Sequence, residues 1–215
     1  MTAVAIDGPA GAGKSTVARA VADELGFTYV DTGAMYRAIA LRVLEYDIDP
    51  TDAGAVSQLA STVHLSLADG AVMVDGRDVT DAIRTEVVTQ ASARIARHPG
   101  VREALVAIQR RLAAEGDVVM EGRDIGTKVL PNADVKIFLT ASLDERTSRR
   151  AQQTGVDEAE IATLKVTIEE RDRSDMERDE SPLVQAADAV VVDSTDRPIA
   201  NIVNEIASLV KGAAS

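Results

Sequence analysis

The chain has no cysteine and no tryptophan among its 215 residues. Without thiols there is no disulfide framework, no thiolate metal site and no sulfur nucleophile, which fits a reducing, cytosolic setting. Aromatic side chains are nearly as scarce. Phe27, Tyr29, Tyr36, Tyr46 and Phe138 are the whole set, too few to build a base-stacking platform. The two histidines, His64 and His98, belong to no metal-ligand spacing such as H-E-x-x-H, and neither is a catalytic candidate. Positive charge is in deficit too, with 23 basic against 35 acidic residues and a net charge of −12. Proteins that coat nucleic acid work by neutralising phosphates, so this balance argues against one. No apolar run approaches the roughly 18 residues needed to cross a bilayer, and the first residues enter strand pattern with no basic leader or cleavage site. Neither membrane insertion nor secretion is expected.

Against these absences stands one dense motif. Gly8-Pro9-Ala10-Gly11-Ala12-Gly13-Lys14-Ser15 follows the apolar run 2–6 and precedes a helix pattern over 16–25. Strand, glycine loop and helix in that order match G-x-x-x-x-G-K-[ST] in full, the phosphate-binding P-loop. Glycines let successive N–H groups point inward as an anion nest at the positive end of the helix. Lys14 is placed to reach the β- and γ-phosphates, and the Ser15 hydroxyl to give Mg²⁺ one oxygen ligand. A dinucleotide fingerprint G-x-G-x-x-G would need glycine at position 16, where Thr16 stands. NAD and FAD are therefore not expected.

Strand-like runs recur at 2–6, 28–30, 117–120, 135–139 and 189–192, with helix patterns between them. This alternation predicts one α/β core with a parallel sheet. One region departs from it. Short apolar pieces at 64–67, 71–74 and 78–79, joined by Asp69-Gly70 and Asp75-Gly76, read as an inserted antiparallel meander. Helices are predicted over 86–97, from Pro99 onward, over 142–153 and 158–174, and over about 198–210.

Four polar constellations stand out, two at the ligand end of such a sheet and two on helix-patterned segments further along. Asp31 to Arg37 follows the second strand, with Tyr36 and Arg37 on the first turn of the next helix. Glu121-Gly122-Arg123-Asp124 follows the third strand. Arg171, Asp175 and Arg178, at helical spacings of three, four and seven, describe one helix face, which would also suit ordinary surface pairing. Arg146, Arg149 and Arg150 fit either a solvated face or a lid over a triphosphate. Eighteen arginines against five lysines favour bidentate phosphate contacts, although base composition of the genome produces the same excess. The absence of N-K-x-D weakens a guanine-nucleotide switch. On residues alone, three classes stay open: a nucleotide kinase, a P-loop kinase of another acceptor such as UMP or a non-nucleotide alcohol, and a non-catalytic nucleotide-dependent module.

The phrases IDGPAGAGKS, VDTGAMYR, IRTEVVTQASARIARHPGVREAL, EGRDIGT, VKIFL and ERDRSDMERDESPL, in this order, resemble the bacterial cytidylate kinase family over essentially the whole chain. The resemblance implies the nucleoside monophosphate kinase fold: a five-stranded parallel sheet in the order 2-3-1-4-5 flanked by helices, with an antiparallel insert and a short lid. The core would be 1–60 and 99–215, the insert about 61–98 and the lid about 146–165. It implies γ-phosphoryl transfer from ATP, with Mg²⁺, to CMP or dCMP, by a monomer of the cytoplasm with no nucleic-acid polymer or membrane as partner.

By motif match, Gly8, Pro9, Ala10, Gly11, Ala12, Gly13, Lys14, Ser15 and Thr16 would hold the donor, with Ser15 on the metal. Tyr36 and Arg37 would sit at the acceptor. Arg37, Arg123 and Arg178 would clamp its phosphate, and Ser92, Arg102 and Asp124 would read the cytosine. Arg171 and Asp175 would hold phosphate and ribose. Lys14, Arg123 and Arg178 would carry the catalysis. Two positions depart from the family pattern: Glu121, where aspartate is frequent, and the stretch 173–177, which has Ser174 and Met176 where some relatives have further arginines.

Overall fold

Strands buried on both faces carry unbroken apolar runs, and the central strands do so. In the computed structural model, which describes residues 1–68 and 70–213, β1 is Ala3–Asp7, β2 Thr28–Asp31, β6 Val118–Gly122, β7 Val135–Thr140 and β8 Val190–Asp193. They form one five-stranded parallel sheet in the order β2-β6-β1-β7-β8. Counted among themselves along the chain, the strands read 2-3-1-4-5, as expected. Val4, Ile6, Ala5, Val118 and Met120 are all fully buried, so both faces of the sheet centre are covered.

Two compact units are present: Met1–Tyr29 with Gly116–Ser215, and Val30–Glu115. In the first, α1 (Lys14–Leu25) and α8 (Ile199–Ala213) share one core cluster with a single sheet face. Val4 and Ile6, with Val135, Ile137 and Leu139, supply alternate strand positions, against Val17, Ala18, Val21 and Ala22 of α1 and Ile202, Ile206 and Val210 of α8. α1 starts at Lys14 and not at residue 16, so Lys14 and Ser15 lie within its first turn. Two further helices follow β7. α6 (Leu143–Thr154) is capped by the Ser142 side chain and ends on Gly155 in the left-handed region. α7 runs Ile161–Met176, preceded by a short 3-10 turn at Glu158–Glu160. The expected single helix over 158–174 therefore opens as a 3-10 turn and becomes α-helical only from Ile161.

The second unit contains α2 (Thr32–Glu45), α3 (Ala53–Thr62), α4 (Glu86–Ile95) and α5 (Pro99–Ala113). The meander is there as β3 (Leu65–Ala68), β4 (Ala71–Val74) and β5 (Arg77–Asp78), antiparallel in that order. Asp75 and Gly76 both have positive φ, 51° and 80°, the pair of left-handed residues a two-residue hairpin turn demands. Asp69 of the other expected turn lies outside the described residues. Pro99 takes the first helical position, where its missing N–H is no loss. Among the described residues no helix is long and apolar enough to cross a membrane.

Candidate active site

The glycine loop leaves β1 at Asp7 and turns at Gly8. A Cβ at Gly8 would fall inside the van der Waals envelope of the Leu139 carbonyl oxygen, so only glycine lets the loop start this close to β7. Gly13, at φ 87°, caps α1 from the left-handed region. The first turn of α1 carries no acidic residue, which leaves the positive end of its dipole uncompensated. Lys14 folds back along the loop and donates to the Pro9 carbonyl at 2.7 Å. It is 6% exposed. Burial, then the nearby Arg123 charge, bring its pKa down to about 7 against the opposing pull of Glu121, Asp175 and Asp7.

Beside the loop, β6 ends in Glu121-Gly122 and passes through Arg123 and Asp124 into a wide π-type turn at Ile125–Val129. Glu121 is buried and accepts from the Tyr29 hydroxyl at 2.6 Å, while the Arg19 guanidinium lies 4.5 Å from the Tyr29 ring centroid. Asp124 is buried. The turn after it is tied to the end of β1, because Asp7 accepts from the N–H groups of Ile125 and Gly126 with one oxygen each, both at 2.8 Å. Burial raises the Asp7 carboxyl to about 6, more than these two hydrogen bonds lower it.

Arg123 donates through Nε to Asp175 Oδ2 at 2.8 Å and through Nη1 to the Gly122 carbonyl. Arg178 approaches the other oxygen of Asp175, 3.8 Å from Nη1 to Oδ1. Burial alone would raise the Asp175 carboxyl, yet Arg123, Arg178 and Arg171 together hold it below the ordinary range. The surface-pairing alternative for this motif does not describe what is found. α7 stops at Met176, so Arg178 is off the helix, and the shortest ion pair of Asp175 is with Arg123, 52 residues away. Among the α6 arginines, Arg146 is buried and Arg149 half-buried, and both donate to carbonyls of the glycine loop, at Ala10 and Ala12. Arg149 also reaches the Ser194 hydroxyl and carbonyl, and Ser194 itself donates to the Ala12 carbonyl at 3.1 Å. Neither arginine belongs to a solvated face. Asp7, Asp172 and Ser194 support the loop and turn, roles that neither motif nor spacing assigned to them. For Asp7 a signal existed, an acid closing a fully apolar strand.

In the second unit Asp31 caps α2. Its side chain accepts from the Ala34 N–H at 2.8 Å and from Arg37 Nη2 at 3.0 Å. With the helix beginning at Thr32, Tyr36 and Arg37 fall on its second turn and not its first. Gly33 sits between the paired groups, where a Cβ would be 3.1 Å from both Arg37 Nη1 and Asp31 Oδ1. Arg102, buried on α5, lies with its guanidinium 5.8 Å from the Tyr36 ring centroid. Ser92 is buried on α4 and donates to the Thr89 carbonyl at 2.7 Å. Tyr36, Arg37 and Arg102 are thus gathered in one unit with Ser92, and Lys14, Arg123, Asp124, Asp175 and Arg178 in the other. His98 precedes α5, and its ring contacts the Pro50 carbonyl.

A loop that strips water from a lysine and holds it near Arg123 beside an uncompensated helix terminus is suited to a polyanion. The class is that of the P-loop kinases. The family model for cytidylate kinase matches residues 4–212. Cytidylate kinase of Pelotomaculum thermopropionicum is 48% identical over 217 residues, 96% of this chain and 95% of that one. The cytidylate kinase of Solibacter usitatus is 50% identical over 212 residues, 97% of this chain and 91% of that protein. Solved structures with the same fold include a gluconokinase from Sinorhizobium meliloti 1021, with a TM-score of 0.53 at 20% identity, covering 99% of this chain and 93% of that one. A shikimate kinase from Acinetobacter baumannii has a TM-score of 0.51 at 15% identity, covering 99% and 94%. Those two bear on the fold alone. The chain belongs to the cytidylate kinase family, with a kinase's use of ATP as phosphoryl donor.

Proposed function

We propose that this chain transfers the γ-phosphoryl group of ATP to CMP or dCMP, giving ADP and CDP or dCDP, as a monomer in the cytoplasm. The observation that carries the acceptor is identity of 48–50% to cytidylate kinases over more than nine-tenths of both partners. It spans residues 30–115 as well as the donor loop.

In this reading Gly8 to Thr16 cradle the donor phosphates and Lys14 bridges β and γ. Ser15 is exposed in the first turn of α1, and among the described residues no three His, Cys, Asp or Glu side chains cluster as a metal site. That donor set suits Mg²⁺, which keeps several waters and takes most other ligands from phosphate oxygens. When bound, the ion neutralises phosphate charge. Arg37, Arg123 and Arg178 hold the acceptor phosphate, Arg171 and Asp175 assist at phosphate and ribose, and Tyr36 lies beside the nucleotide. Ser92, Arg102 and Asp124 read the base. Cytosine offers an N4 amino donor to the Asp124 carboxylate and an N3 acceptor to Arg102. Uracil would set O4 against the carboxylate, acceptor against acceptor, a mismatch that discriminates strongly.

The acceptor is a phosphate monoester with a second pKa near 6, so at neutral pH it is mostly a dianion and needs no strong general base. The chain's work is alignment and charge neutralisation by Lys14 and the arginines. A lid of about residues 146–165, anchored at its first residue, keeps water from the donor phosphates. ADP release from ATP and Mg²⁺ over a panel of CMP, dCMP, UMP, AMP and shikimate tests the reading. CMP and dCMP should drive turnover far above the others. Equal rates with UMP, or ATP hydrolysis as fast without acceptor as with it, would overturn it.

A further inference from the structure

Both polar groups of Ala10 in the donor loop are taken by one buried ion pair. The Ala10 N–H donates to Asp172 Oδ1 at 3.2 Å, and the Ala10 carbonyl accepts from Arg146 Nη1 at 3.0 Å. The same Nη1 closes on Asp172 Oδ2, and Arg146 Nε donates to the Ala141 carbonyl at 3.1 Å. Each of the two side chains is 10% exposed. The loop also lies directly on α6, since a Cβ at Gly11 would be 3.1 Å from Arg146 Cβ.

The two partners come from successive helices, Arg146 from α6 and Asp172 from α7. One turn beyond Asp172, the same helix presents Asp175 to Arg123. Residues three apart on a helix are neighbours on one face, at a spacing the backbone fixes. A single rigid turn therefore grips the donor loop at one residue and the arginine at the end of β6 at the next. We propose that Arg146 and Asp172 are positioning residues which register the donor loop against Arg123, setting the line along which the phosphoryl group travels. This rests on the donor role assigned above to Gly8 to Thr16.

The physical case is one of alignment more than stability. A displacement of about 1 Å at the reacting atoms costs about 10²-fold in rate. A buried ion pair, by contrast, is often replaced by apolar side chains with no loss of stability, whereas removing one partner strands a charge. These two facts separate a positioning role from a structural one. The double variant Arg146→Met/Asp172→Leu removes both charges together. It should stay folded, melting below the parent by no more than the lost hydrogen bonds to Ala10 and Ala141 explain, while CMP-dependent kcat falls about 100-fold and KM for ATP rises, with the calorimetric Kd for CMP unchanged. If the double variant does not fold, Asp172→Asn carries the test. It keeps an acceptor for the Ala10 N–H but no charge for Arg146, and a kcat loss of at least about tenfold with CMP affinity intact is expected. Parental kcat and KM for ATP in either folded variant would overturn the proposal. So would CMP affinity that falls in step with kcat, or an Asp172→Asn protein that cannot fold. A parent chain that fails to phosphorylate CMP would instead overturn the functional reading.

Discussion

Binding a triphosphate to this loop should draw a proton from solution, and the proton should arrive on Lys14. The amine is buried, with its Nζ on the Pro9 carbonyl and the Arg123 charge nearby, and its pKa stands at about 7. At about pH 8 roughly one molecule in ten then carries the charge. A polyanion seated in the nest reverses the balance, because charged lysine is now paired and its pKa returns toward the ordinary value of about 10.4. The difference is an uptake of about 0.9 proton per nucleotide near pH 8, shrinking to about 0.1 near pH 6. Affinity for the donor must fall as pH rises above about 7, by up to tenfold per unit. Calorimetry in two buffers of different ionisation enthalpy reads the proton number directly. Lys14→Arg supplies the control, since guanidinium keeps its charge throughout and protonation of the nucleotide itself cancels between the two proteins. Uptake near pH 8 no larger in the parent than in Lys14→Arg would refute the reasoning.

Arg123→Ala should lower turnover by about 2.7–4 kcal/mol, some 10²–10³-fold, as for the loss of one donor to a developing anion; a folded variant with near-normal kcat would remove Arg123 from the transferring charge. Asp124→Asn should erode the preference for CMP over UMP more than it lowers the rate with CMP, and competition between the two acceptors is the measurement that checks it. For Asp7, burial raises the folded pKa from 3.8 to about 6, so between those values the folded state holds a proton the unfolded state has released and stability falls as pH rises. The difference in urea unfolding free energy between the parent and Asp7→Asn should therefore shift against the parent by on the order of 3 kcal/mol across that window; parallel pH profiles would show that Asp7 does not titrate in this way.

The parts that the chain displayed openly are those whose causes are local. Gly8 and Gly13 answer backbone demands at their own positions, Asp75-Gly76 makes its turn with two adjacent residues, and Pro99 marks the start of a helix by a missing N–H. The strand-like runs pointed to a parallel sheet, and its order came from the resemblance carried by six phrases. What stayed hidden was charge pairing between distant elements. Arg146 and Asp172 are 26 residues apart, Arg123 and Asp175 are 52 apart, and neither separation leaves a periodic trace. Asp7 pairs with N–H groups more than a hundred residues away. Where spacing did suggest a pattern, at Arg171, Asp175 and Arg178, an i,i+7 relation assumed a helix that ends before its last member. Periodicity reports which faces are apolar, and says little about which charge an arginine will find once the chain has folded.

The unit formed by Val30–Glu115 is one uninterrupted stretch, entered once and left once. Tyr36, Arg37, Ser92 and Arg102 all lie within it, while Gly8 to Thr16, Arg123 and Arg178 lie in the flanking segments. The acceptor roles proposed above are therefore shared between that stretch and the segment after residue 115, which carries Arg123, Asp124, Asp175 and Arg178, so exchanging residues 30–115 alone would replace only part of the acceptor set. A change of acceptor specificity in this chain accordingly calls for coordinated substitution in two separate segments, and a swap confined to either one should leave a mismatched acceptor site.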